Sequence, residues 1–160
     1  MAKCEVKKRI GLLGGTFDPI HNGHLQLAET AAEILQLDTV LFVPAAVPPH
    51  KPNHVITSFV HRTKMINLAI GGREGIGLSS IEQTLPAPSY TIDTLNELKR
   101  LGCRDDLYYI IGLDAFLEID TWKSYRALLQ QIHFIVLARV GYHHKPVDRL
   151  LKQLEYERDA

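Results

Sequence analysis

The chain has 160 residues, 46% of them hydrophobic and 22% charged, which suffices for one domain with a real core. Eighteen basic and eighteen acidic residues cancel, so there is no electrostatic case for nucleic acid or a membrane surface, although a local site for a small anion remains open. Cys4 and Cys103 form no CxxC pair, no apolar run reaches transmembrane length, and Gly11, Gly14 and Gly15 break the only leader-like stretch; the chain reads as cytoplasmic.

In chain order, "RIGLLG" (9–14) reads as a buried strand, and Asn22 to Leu37 as a helix with Leu25, Ala28, Ala32 and Leu35 at helical spacing. "TVLFVP" (39–44) is a second strand stopped by Pro44, and 45–57 a proline-rich loop. Ser58 to Ile70 is a helix with Ser58 as candidate N-cap. "IGLSSIE" (76–82) is a weak third strand and "PAPS" (86–89) a turn. Thr91 to Leu101 is a helix ended by Gly102, and "LYYIIG" (107–112) a strong strand. Ser124 to Gln130 is a short helix and "HFIVLAR" (133–139) the last strand; Val147, Leu150, Leu151 and Leu154 mark a final amphipathic helix. This alternation predicts an α/β fold: a Rossmann-like parallel sheet of about five strands with helices on both faces, in a single domain spanning 1–160.

Ligands of such sheets sit beyond the carboxyl ends of the strands. That rule selects Gly14–His24, Pro44–Lys51, Gly112–Asp114 and the segment after Arg139. The first is the most informative: "GGTFDPIHNGH" (14–24) carries two histidines at a glycine-rich strand-to-helix turn. Gly14 and Gly15 permit close approach of a ligand to the backbone, and the helix N-terminus favours an anion. His21 and His24 can donate to phosphate oxygens and stabilise charge that builds as a phosphoryl bond breaks. A bland alternative has the histidines cap the helix and the glycines make the turn. The spacing is neither GxGxxG nor GxxxxGK[ST], which argues against a dinucleotide fingerprint and a P-loop. His54, His61, His143 and His144 form no ligand cluster, so no structural metal is expected.

"GGTFDPIHNGH" resembles the signature of the HxGH nucleotidyltransferase superfamily. Together with "PPHK" (48–51), "SYTIDTL" (89–95), "IIGLDAF" (110–116), Trp122 and "LAR" (137–139), the chain is similar to bacterial nicotinate-nucleotide adenylyltransferases from residue 8 to about 142. The resemblance implies transfer of AMP from ATP to nicotinate mononucleotide, giving deamido-NAD and pyrophosphate, with Mg²⁺ carried by ATP. It implies catalytic roles for His21, His24 and Lys51. Gly14, Gly15, Thr16, Phe17, Gly112 and Asp114 would join the two histidines in binding ATP. His50, Thr91, Trp122 and Arg139 would bind the mononucleotide, with Trp122 stacking on the pyridine ring. Asp18 would order the turn.

Members of that family carry a later ISSTxIR motif that clamps the triphosphate. This chain reaches Ala160 without it, which leaves two expectations: a truncated copy with a weakened ATP site, or a complete chain that depends on another chain or has lost activity. Leu150, Leu151 and Leu154 would then be exposed for association, including a homo-oligomer. The competing readings are a nucleotide-binding fragment without catalysis and another HxGH enzyme such as phosphopantetheine adenylyltransferase. SYTIDTL, PPHK and Trp122 argue against the latter.

Overall fold

A computed structural model describes residues 7–49, 55–138 and 145–159. Five strands form one parallel sheet: β1 (Arg9–Gly15), β2 (Thr39–Pro44), β3 (Ile76–Leu78), β4 (Asp106–Gly112) and β5 (His133–Leu137), in the order β3-β2-β1-β4-β5. The connecting helices are α1 (Asn22–Leu35), α2 (Phe59–Ile70), α3 (Thr91–Arg100), the single turn α4 (Leu113–Phe116) and α5 (Tyr125–Gln131), with α6 (Lys145–Asp159) last. The expected α/β architecture is therefore the one observed.

The strand residues face alternately up and down, and each face has its own core. Leu12, Val43, Tyr109 and Ile111 pack on one side with Ile92 and Leu95 of α3, Leu128 of α5 and Leu150 of α6. Leu13, Phe42 and Ile110 pack on the other with Leu25, Ala28 and Ala31 of α1 and Ile66 and Ile70 of α2. Both faces are covered, which is why these strands read as unbroken apolar runs.

Two expectations need adjustment. The third strand stops at Leu78, and Ile81–Thr84 form a 3₁₀ turn where the sequence suggests extended chain. The Ser79 amide makes one more bond, to the Phe42 carbonyl at 2.9 Å. Pro44 at the end of β2 has no N–H to carry the ladder further. Leu150 is buried and Leu154 packs against the core, so of the three expected exposed leucines only Leu151 is substantially open. Thr91 is the first residue of α3 and Tyr90 its N-cap. Ser58 does cap α2, accepting from the His61 amide.

The topology opens a crevice. Chain order runs outward from β1 to β3, then returns to the opposite side of β1 with β4. Pairing of β1 with β4 ends at Leu13 and Ile110. Beyond it, Gly14 and Gly15 pair only with Val43 and Pro44 of β2, and Ile111 and Gly112 only with Val136 and Leu137 of β5. The two central strands part there, at the carboxyl edge where ligands of such sheets bind.

Candidate active site

The crevice is a cavity of about 400 Å³, mostly apolar in its walls. Gly14, Gly15, Thr16 and His24 line it on the side of β1 and α1, and Thr91, Tyr109 and Trp122 on the side of α3 and β4, with the Tyr109 hydroxyl reaching across to Gly14. Gly112, Pro48, Pro49, Glu82 and Ser89 also contribute to its walls.

The glycine side follows from packing. Phe17 has φ 51° and is only 2% exposed, turned inward under Gly15. A Cβ on Gly15 would lie 2.9 Å from its ring. With Phe17 anchoring the turn, the chain passes through Asp18 and Pro19 and enters α1 with His21 as N-cap. The Asp18 carboxylate accepts the Thr57 amide at 2.8 Å, in keeping with a role in ordering the turn.

His24 sits one helical turn into this start. Its ring packs edge-on against Phe17, centroids 4.9 Å apart, and stacks on His21 at 3.7 Å. The His21 amide donates to His24 Nδ1 at 3.3 Å. That bond assigns Nδ1 as the acceptor, so the ring proton belongs on Nε2. Burial and the neighbouring His21 hold the His24 pKa down at about 4. His24 is thus a neutral imidazole with a single N–H donor at a cavity wall. The bland alternative and the functional one coincide here: the same ring caps the helix through one nitrogen and offers the other.

A guanidinium braces this side from behind. Arg62 of α2 is 1% exposed; its Nε donates to the Thr57 carbonyl at 2.8 Å, one terminal nitrogen to Thr16 at 2.8 Å and the other to Ala46 at 3.4 Å. Three loop segments, one of them carrying the cavity-lining Thr16, therefore hang on one side chain. Burial pulls its pKa down, and Asp18 and Glu82 oppose the shift.

On the other side, α3 begins without a side-chain cap on its first amides. Thr91 Oγ1 lies 3.4 Å from the Tyr109 hydroxyl, and Trp122 meets the Tyr109 ring edge-on at 5.9 Å. The Tyr109 pKa is pushed up to about 12, chiefly by burial, so its hydroxyl stays protonated. Behind them lies Glu82, 7% exposed, its Oε1 accepting from Thr94 at 2.9 Å. Burial raises its pKa; Thr94, Ser89, the Ala46 amide and Arg62 pull the other way. Lys123 stands at the rim, 2.8 Å from Asp93 and over the Tyr90 ring.

Of the expected site residues, the fold brings Gly14, Gly15, Thr16, His24, Thr91, Gly112 and Trp122 to one cavity. His21 acts next to it, through His24. Phe17 supports the wall from within the core, and Asp114 is exposed on α4, between the lining residues Gly112 and Ala115 but not itself among them. His50, Lys51, His54, Arg139, His143 and His144 lie outside the described residues. His61 is engaged with Ser58 Oγ at 2.7 Å. Among the described residues, no group of three His, Cys, Asp or Glu side chains is placed to hold a metal ion, and no helix is long and apolar enough to cross a membrane. Sequence reasoning missed Tyr109, Glu82, Arg62 and Lys123. Tyr109 had a signal, a polar ring inside an otherwise apolar strand.

Residues 12–157 match the cytidylyltransferase-like family, and the chain belongs to that family of nucleotidyltransferases. Within it, the chain groups with the nicotinate-nucleotide adenylyltransferases. It is 52% identical over 135 residues to a probable nicotinate-nucleotide adenylyltransferase of Desulfotalea psychrophila, covering 82% of this chain and 64% of the relative. It is 42% identical over 151 residues to one of Thermoanaerobacter sp., covering 94% and 72%. The chain thus spans less than two thirds of the Desulfotalea protein. The fold is shared with Plasmodium falciparum nicotinic acid mononucleotide adenylyltransferase complexed with NaAD, at TM-score 0.74 and 21% identity over 88% of this chain and 70% of the other.

Proposed function

We propose that this chain carries out adenylyl transfer from MgATP to nicotinate mononucleotide, releasing pyrophosphate and forming deamido-NAD. The observation that carries the reading is the neutral, Nε2-protonated His24 beside bare glycine backbone in a cavity that is also lined by Thr91, Tyr109 and Trp122. The curated relatives bearing that activity in their names support it.

In this reading the mononucleotide phosphate attacks the α-phosphorus of ATP directly, and pyrophosphate leaves. The protein's task is positioning and charge stabilisation. His24 Nε2–H would donate to a phosphate oxygen as charge grows, and His21 would hold that ring and add a second imidazole. Gly14, Gly15 and Thr16 would let the nucleotide lie against the main chain, with Gly112 and Asp114 toward its sugar. Thr91 and the free amides opening α3 would receive the pyridine carboxylate, with Trp122 against the ring. Lys51, His50 and Arg139 are proposed as phosphate and substrate contacts on their motifs alone. The donors at the mouth are imidazole, hydroxyl and amide, suited to phosphate oxygens; magnesium would arrive bound to ATP. We place the reaction in the cytoplasm, as the composition suggests.

The test is pyrophosphate release from ATP, Mg²⁺ and nicotinate mononucleotide, with His24→Ala as control. Release that the control abolishes supports the reading. Binding of both nucleotides without release would overturn it in favour of a non-catalytic binding protein.

A further inference from the structure

Glu82 is the buried charged group that adenylyl transfer does not use. Its Oε1 is satisfied by Thr94, but its Oε2, also buried, meets no donor among the described residues within full hydrogen-bond geometry, although the Ser89 hydroxyl and Ala46 amide lie close enough to the carboxylate to favour its charge. An orphaned carboxylate oxygen is costly, and native proteins rarely leave one without protein or water. Arg62 acts on Glu82 as a nearby charge, while the hydrogen bonds described for its guanidinium go to backbone carbonyls.

A second, much smaller cavity of about 10 Å³ lies against Glu82. Thr91, Thr94 and Tyr109 line it too, among apolar neighbours. That is room for about one water molecule, and a water needs two to four polar partners. One carboxylate and three hydroxyl-bearing side chains are enough. Thr91, Tyr109 and Glu82 border both this cavity and the large one. Gly14 and Val43 are shared too, so the small cavity backs onto the crevice where Thr91 and Tyr109 meet β1 and β2.

We propose that this cavity is a water site in which one ordered water joins Glu82 Oε2 to the hydroxyls of Tyr109 and Thr91, making Glu82 a positioning residue for the pyridine-binding side. The water fixes the two hydroxyls from behind the wall, and Glu82 acts on the ligand only through them. The inference rests on the reading that this side takes nicotinate mononucleotide.

A crystal structure that resolves ordered water, with Glu82→Gln and Glu82→Met beside the wild type, tests it. The expected density lies within hydrogen-bond distance of Glu82 Oε2 and the Tyr109 hydroxyl, persists in Glu82→Gln and vanishes in Glu82→Met. Kinetically, Glu82→Met should raise KM for nicotinate mononucleotide roughly tenfold, the worth of one hydrogen bond, and leave kcat and the KM for ATP nearly unchanged. Glu82→Gln should recover most of that loss, which a mere packing role would not allow. If Glu82→Met does not fold, Tyr109→Phe removes one bridging partner at almost constant volume and should show the same KM-only shift. No density in the wild type overturns the water, and an unmoved KM in the variants overturns the positioning role. Wild-type protein that binds the mononucleotide calorimetrically and shows the water, but releases no pyrophosphate, sinks the proposed function alone. Turnover without the water sinks this inference alone, and failure to bind the mononucleotide sinks both.

Discussion

The Tyr109 hydroxyl of β4 occupies the space that a side chain on Gly14 of β1 would need: a Cβ added at Gly14 would overlap its oxygen. The glycine is thus required by a neighbour nearly a hundred residues away, and not by its own backbone angles. Gly14→Ala should destabilise the fold by about 1–3 kcal/mol through overpacking. In a Tyr109→Phe background the penalty should shrink but persist, because the ring carbon Cζ would still lie 3.0 Å from the new Cβ. Urea denaturation of the single and double variants measures the coupling. Strict additivity would show that the two residues do not compete for this space.

His24 should tolerate glutamine better than asparagine. The glutamine amide nitrogen reaches about as far as Nε2, whereas that of asparagine falls near Nδ1, which already accepts the His21 amide. His24→Ala should lower the rate of pyrophosphate release by about 10²–10³, the usual value of one donor aimed at developing charge. An asparagine variant more active than the glutamine one would reverse the tautomer assignment.

The His24 pKa sets a pH window with a definite sign. Burial first, and His21 second, lower it from 6.5 to about 4. As pH falls from 6.5, the unfolded chain takes up this proton before the folded one does, so stability is lost between about 6.5 and 4 and is untouched above that range. NMR titration should give a midpoint near 4 for the His24 ring, and thermal melts should show a shallower acid decline in His24→Gln. His21→Ala should raise the midpoint without restoring 6.5, since burial remains. A wild-type midpoint at the ordinary value would contradict the packing described for this ring.

Arg62 should resist replacement by lysine. A guanidinium serves the carbonyls of Thr57, Thr16 and Ala46 at once, and an ammonium cannot span that fork. Arg62→Lys and Arg62→Met should each cost about 2–4 kcal/mol in chemical denaturation, as three buried carbonyls lose donors. A loss well under 1 kcal/mol for lysine would mean that the loops hold themselves.

The parts of the site that lie within one local segment were legible in the sequence. Gly14, Gly15 and His24 share one strand–turn–helix unit, and their residue types alone suggest phosphate chemistry. The strands of β1, β2 and β4 were equally plain, because burial on both faces leaves continuous apolar runs. Glu82 was not legible. Its segment alternates as an edge strand would, and only contacts with Thr94 on α3 and a proline-ended neighbour turn it into a 3₁₀ helix with a buried carboxylate. Arg62 hid for a similar reason: at its position in α2 an arginine reads as solvated surface, and of its three acceptors only Thr57 is near in sequence, Ala46 and Thr16 lying 16 and 46 residues away.

The parting of β1 and β4 past Leu13 and Ile110 means that the recess is written into the hydrogen-bond ladder of the sheet itself. The part of the wall that the strands supply does not assemble around an arriving guest; it stands for as long as the five strands do. Little chain ordering is then needed on association along these walls, and affinity there depends on fit to a standing mould. The same rigidity makes the mould unforgiving: guests differing in ring size meet strands anchored on both flanks, which cannot swing aside without unzipping the middle of the protein.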